Sequence, residues 1–185
     1  MADLLTHNIL QDTVQPQRLV VMLHGIGQHH GYMEEAARQL MQRMPGTAVV
    51  IPDAPLKMHY TAEKVARVRE KYDPGFDGDK ARSWFKTDMS GWPVMSLRLA
   101  FNSLPVVHKV NQLADHYRDA FGLRGSDIAF FGLSQGGAIA LYASMARDEE
   151  SISKAADFLA AAFAGRGKDN RISSGARPFA AVSTI

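Results

Sequence analysis

Residues Gly132-Leu133-Ser134-Gln135-Gly136 stand between a continuous apolar run, Asp127 to Phe131 (DIAFF), and an Ala-rich apolar stretch, Gly136 to Ala146. The first reads as a buried strand and the second as a buried helix beginning where the strand ends, which puts the serine on a very tight strand-to-helix turn. Small residues two before and two after it are needed because a Cβ there would collide with neighbouring backbone. Taken alone, G-x-S-x-G is weak: three fixed residues of about 7% frequency each recur by chance in roughly one chain of this length in twenty. The flanking strand and helix are the context that gives it meaning, and they make an ordinary helix-capping serine the lesser reading. Ser134 is therefore the candidate nucleophile.

The rest of the chain supplies a sheet for that turn to sit on. Leu19 to Leu23 (LVVML) is a β-branched apolar run stopped by Gly25 and Gly27, and Ala48 to Ile51 is a second, ended by Pro52. Glu34 to Met44, between them, places Ala37, Leu40, Met41 and Met44 at helical spacing, so the three segments form a βαβ unit with parallel strands. Val106 to Phe121 is helical by pattern with Gly122 as its C-cap, Ser151 to Ala164 reads as another helix, and Phe179 to Ile185 as a last buried strand. Thr61 to Asp79 reads as an exposed helix followed by turns. Asp73, Asp77 and Asp79 come near a calcium-loop spacing but lack its terminal Glu and its glycine in register, so a solvated turn is expected there. The fold class expected is α/β: a mostly parallel sheet with helices on both faces, in a single domain spanning residues 1–185.

Composition narrows the function classes. With 46% hydrophobic and 22% charged residues, the chain has ordinary globular make-up and enough length to bury a core without staples. It has no cysteine, which excludes a disulfide framework, a thiolate metal site and a cysteine nucleophile. The net charge is +2, with basic residues scattered among acids, so no nucleic-acid partner is expected. The N-terminal segment carries Asp3, His7 and Asp12 among its apolar residues, unlike a signal peptide, and no apolar stretch approaches the roughly 20 residues of a membrane span. A cytoplasmic protein is expected.

His24-Gly25-Ile26-Gly27 follows the first strand directly, so its loop and the Ser134 turn emerge at the carboxyl edge of one parallel sheet, where such sheets bind ligands. The N–H of Gln135, at a helix N-terminus, and the N–H of Ile26, from the facing loop, form a pair suited to an oxyanion. His24 is expected to fix its loop by hydrogen bonding. The segments LVVMLHGIG (19 to 27), VVIPDAP (49 to 55), ARSWF (81 to 85) and FFGLSQGGAIAL (130 to 141) resemble the phospholipase/carboxylesterase group of α/β-hydrolases, which includes acyl-protein thioesterases. That resemblance implies Ser134 as nucleophile, Ile26 and Gln135 as oxyanion donors, and Trp84, Gly25 and Gly27 at the substrate pocket. It also implies a small ester or thioester substrate and no metal or organic cofactor. Lys86 departs from the acidic residue that the group commonly has after its Trp-Phe pair.

In this fold type the triad order is serine, then acid, then histidine. All seven histidines, at 7, 24, 29, 30, 59, 108 and 116, precede Ser134, and the acids that follow it, including Asp148, Glu149, Glu150, Asp157 and Asp169, read as solvated surface. Three explanations compete: a sheet left incomplete by C-terminal truncation, which is the expectation here, a non-catalytic descendant, or recruitment of His29, His30 or His59 as base. The function expected is a serine carboxylesterase or thioesterase. The alternative is an inactive α/β-hydrolase-like domain that binds a ligand or partner. A nucleotide-binding reading fails because HGIG lacks the third glycine and downstream acid of that fingerprint. Phe179 to Ile185, as an open sheet edge, invites pairing with a second copy.

Overall fold

The computed structural model describes residues 4–86, 95–147 and 180–184. Its main sheet has five strands in the order β1 (His7–Leu10), β3 (Thr47–Pro52), β2 (Arg18–Leu23), β6 (Ile128–Leu133) and β7 (Ala180–Thr184). The three central strands are parallel: Leu19 pairs with Ala48 on one side and Ile128 on the other. β1 and β7 close the two sides antiparallel, so the sheet is mixed around a parallel centre. The βαβ unit read from the sequence is present as β2, α1 (Glu34–Arg43) and β3.

β2 and β3 are buried almost throughout, and their successive side chains point to opposite faces, dividing the core between the two faces of the sheet. Leu19, Val21, Leu23, Val50, Ile128 and Phe130 face α3 (Met95–Phe121) and α4 (Gln135–Met145), packing on Val110, Leu113 and Ile139. Val20, Met22, Val49 and Ile51 face α1, where Met33 and Ala37 cover them. Helices on both faces follow from this pattern. α2 (Ala62–Lys71) buries none of its residues and is set by its cap: Thr61 Oγ1 accepts from Lys64 N–H at 3.3 Å. The turns after it are closed locally by Asp73, which accepts from Gly75 N–H, and Asp77, which accepts from Asp79 N–H.

α3 begins well before the expected Val106 and runs through Pro105. Proline stops a helical reading because it leaves the carbonyl four residues earlier without a donor. Here the stretch before it, MSLRLAFNSL, contains no other breaker, and the helix spans 27 residues. It ends at Gly122, as expected, where Leu123 N–H donates to Arg118 O at 2.9 Å. The expected helix over 151–164, the acids 148, 149, 150, 157 and 169, and the terminal residues Phe179 and Ile185 lie outside the described residues. A two-stranded ribbon not read from the sequence, β4 (Leu56–Lys57) with β5 (Arg82–Ser83), stands beside the carboxyl edge of the sheet.

Candidate active site

Ser134 lies between the last residue of β6 and the first of α4, exposed, with φ 52° and ψ −118°. Among the described residues it is the one non-glycine with positive φ. The glycines on either side are required by close approach. A Cβ on Gly132 would overlap the Gly136 carbonyl, and one on Gly136 would overlap the carbonyls of Leu23 and His24 at the end of β2. The turn is therefore clamped from both sides while its serine stays open to solvent. A residue held in such a sparsely populated conformation costs about 1–3 kcal/mol. Ser134→Gly is accordingly expected to raise stability by about 1 kcal/mol; a urea midpoint at or below that of the parent protein would show that the turn stores no strain.

The β2–β6 register sets Leu23 beside Gly132, so the loop after β2 emerges next to Ser134. Gly25 approaches the Leu133 carbonyl closely enough that a Cβ on it would lie 3.7 Å from that oxygen. The loop is shaped by Gln28, whose Oε1 accepts from Gly25 N–H at 2.8 Å, and by Gly27, which needs φ +78° and donates its N–H to Arg82 O at 2.8 Å. Ile26, at its tip, is 40% exposed. Among the described residues neither Ile26 N–H nor Gln135 N–H meets a protein acceptor, and the latter opens α4, where the helix dipole favours negative charge.

His24 is fully buried and has the structural part expected of it. Ala54 N–H donates to its Nε2 at 3.1 Å, so Nδ1 carries the proton and donates to Gly25 O at 2.8 Å. With both nitrogens engaged it is unavailable as a base. Burial pushes its pKa below the usual 6.5, with the Gly25 bond and Asp53 opposing. Unfolding returns His24 to an ordinary pKa, and the unfolded chain then binds more protons, so this contribution to stability is present above about pH 6.5 and is lost as pH falls from there toward the folded pKa. Urea midpoints measured from pH 7.5 down to 5 should therefore decline, and His24→Gln should flatten that slope; an unchanged slope would mean that other groups set it.

The side chain of Gln135 does work that sequence inspection did not anticipate. Its Oε1 accepts from Trp84 N–H at 3.0 Å and Ser83 Oγ–H at 3.1 Å, and its Nε2 donates to Phe85 O at 3.3 Å. Trp84, only 1% exposed, donates its indole N–H to His24 O at 2.7 Å. One amide and one indole thus lock the ARSWF segment, the HGIG loop and the start of α4 into a single unit. The signal available was a long amide directly after the serine, at a position buried by the turn itself.

Of the three loop histidines, His59 is exposed just after β4, and His29 caps the turn at His30–Met33 by accepting from Gly31 N–H. His30 is different. Its Nδ1 lies 3.0 Å from Asp53 Oδ2, and Asp53 Oδ1 accepts from His30 N–H at 2.8 Å, a histidine–carboxylate pair at the same edge of the sheet as Ser134. Beside Trp84 and Phe85 lies a largely apolar cavity of about 340 Å³, also lined by Pro55, Leu56, Lys86 and Val106.

Comparison with known proteins bears on the fold and the family. The chain superposes on the crystal structure of esterase PE8 with a TM-score of 0.59 at 21% identity, covering 77% of this chain and 58% of that one. Two further likenesses are a phospholipase/carboxylesterase from Dyadobacter fermentans (TM-score 0.45, 19% identity, 76% of this chain and 53% of that one) and acyl-protein thioesterase 2 of Zea mays (0.38, 20%, 76% and 51%). The chain thus spans less than two thirds of each of these structures. A search of curated proteins finds no match. The first likeness establishes an α/β-hydrolase fold. The model of one family, described as serine hydrolase (FSH1), matches residues 14–171, which contain the Ser134 turn, the loop after β2 and the ARSWF segment, and the chain belongs to that family.

Proposed function

We propose that the chain hydrolyses carboxylic esters or thioesters through an acyl-enzyme at Ser134. The observation that carries this reading is the strained, exposed serine at φ 52° together with two N–H groups that meet no acceptor among the described residues. In the reaction Ser134 Oγ attacks the carbonyl carbon while its proton passes to a base. The N–H groups of Ile26 and Gln135 stabilise the oxyanion, the alcohol or thiol leaves with a proton, and water then releases the acid. Gly25 and Gly27 shape the loop that presents Ile26, and the cavity beside Trp84 takes a short or medium acyl chain. Among the described residues no helix is long and apolar enough to cross a membrane.

A second reading, a binding domain without turnover, is favoured by one fact: His24, next to the loop that faces Ser134, has both ring nitrogens engaged and cannot serve as base. Fluorophosphonate labelling decides between them. The 185-residue chain is expected to label at Ser134 alone and to lose that label on Ser134→Ala. Its rate should lie about 10⁴- to 10⁶-fold below that of a complete triad, the range lost when a triad member is removed. Absence of labelling with retained binding of an ester favours the second reading. Fast labelling abolished by His30→Ala makes His30, oriented by Asp53, the base.

A further inference from the structure

The ribbon of β4 and β5 carries an uncompensated positive charge beside this site. Lys57 and Arg82 are directly opposed in its antiparallel register, so their side chains share one face. Like charges in such a pair repel unless an anion lies between them. Among the described residues no carboxylate pairs with either, and Arg82 Nη1 is the one side-chain nitrogen or oxygen that is buried without a hydrogen-bond partner. A buried donor of this kind is rare in native structures and costs more than an ordinary hydrogen bond returns. The position is also mechanically tied to the site. Arg82 O accepts from Gly27 N–H at 2.8 Å, and Arg82 N–H donates to Gln28 O at 3.1 Å, so the backbone of Arg82 holds the loop whose tip is Ile26.

We propose that Arg82, with Lys57 beside it, binds a carboxylate of the substrate, so that the esters accepted by this chain carry a negative group remote from the scissile bond. The inference rests on the reading of the Ser134 site given above and assigns its substrate class. The planar fork of a guanidinium matches a carboxylate in geometry and charge, and a monoanion on the accessible part of the half-buried Arg82 side chain neutralises its repulsion with Lys57. A structural arginine would be paired within the protein. One whose partner arrives with the ligand is left as Arg82 is found.

The test measures binding, so it stands or falls separately from turnover at Ser134. Monomethyl glutarate, dimethyl glutarate and methyl phosphate are titrated by ligand-observed NMR against the 185-residue chain and its Arg82→Gln, Arg82→Lys and Lys57→Gln variants. The half-ester is expected to bind at least tenfold tighter than the neutral diester, with a preference that shrinks as salt is raised. Arg82→Gln should abolish that preference while leaving the urea midpoint equal or higher, Arg82→Lys should keep part of it, and Lys57→Gln should weaken it a few-fold. Equal binding of the two esters, no binding of either, or a preference that survives Arg82→Gln overturns the proposal. Tighter binding of methyl phosphate than of the half-ester overturns the carboxylate assignment, and a lowered midpoint in Arg82→Gln with the preference intact makes Arg82 structural. If Arg82→Gln fails to fold, Arg82→Lys and Lys57→Gln carry the same comparison.

Discussion

Gly136→Ala is expected to lower stability by about 3 kcal/mol or more, near the top of the range for overpacking a filled interior. The added methyl has nowhere to go. It would overlap the carbonyls of Leu23 and His24, which belong to the end of a central strand and cannot rotate aside like a side chain. Relief requires α4 to withdraw from β2, and that movement also carries away Gln135 and its hold on Trp84. The measurement is chemical unfolding followed by circular dichroism. A midpoint within experimental error of the parent protein would mean that the contact between the turn and β2 is looser than described.

Trp84→Ala is expected to cost about 3–5 kcal/mol, the range for emptying a buried aromatic site. Trp84 is 1% exposed and packs against the His24 ring at 5.0 Å between centroids. The substitution also strips His24 O of its indole donor. Trp84→Phe separates the two contributions: it refills most of the volume and leaves the carbonyl unpaired, at about 1–3 kcal/mol. If both variants lose the same amount, the hydrogen bond dominates. If Trp84→Ala unfolds within 1 kcal/mol of the parent, the tryptophan is not the strut described here.

The central sheet and its turn were legible in the sequence because their constraints are local. LVVML, AVVI and DIAFF are too apolar to be anything but buried, and G-x-S-x-G between a strand and a helix leaves one backbone path. The short strands were not. HNIL carries two polar residues in four, and β4 and β5 are two residues each, held by pairing with one another and by Gly27 and Gln28 instead of by any pattern of their own. The same distinction holds at the site. Ser134, Gly132 and Gly136 follow from a motif, whereas the His30–Asp53 pair and the contacts of Gln135 depend on which loops the finished sheet brings side by side. The helical pattern was legible from Val106 onward, whereas α3 starts at Met95 and continues through Pro105.

The pairing of β2 with β6 joins Leu19 to Ile128 across more than half of the chain. Closing so large a loop costs entropy before any contact repays it, and strand pairs of high sequence separation form late in folding. By contrast β2, α1 and β3 are contiguous and can assemble as a local unit on the chain's first third. The Ser134 turn has no such independence, because the contact that requires glycine at 136 exists only when the end of β2 lies alongside. The clamp on its serine is thus a non-local contact, completed by residues from opposite halves of the chain.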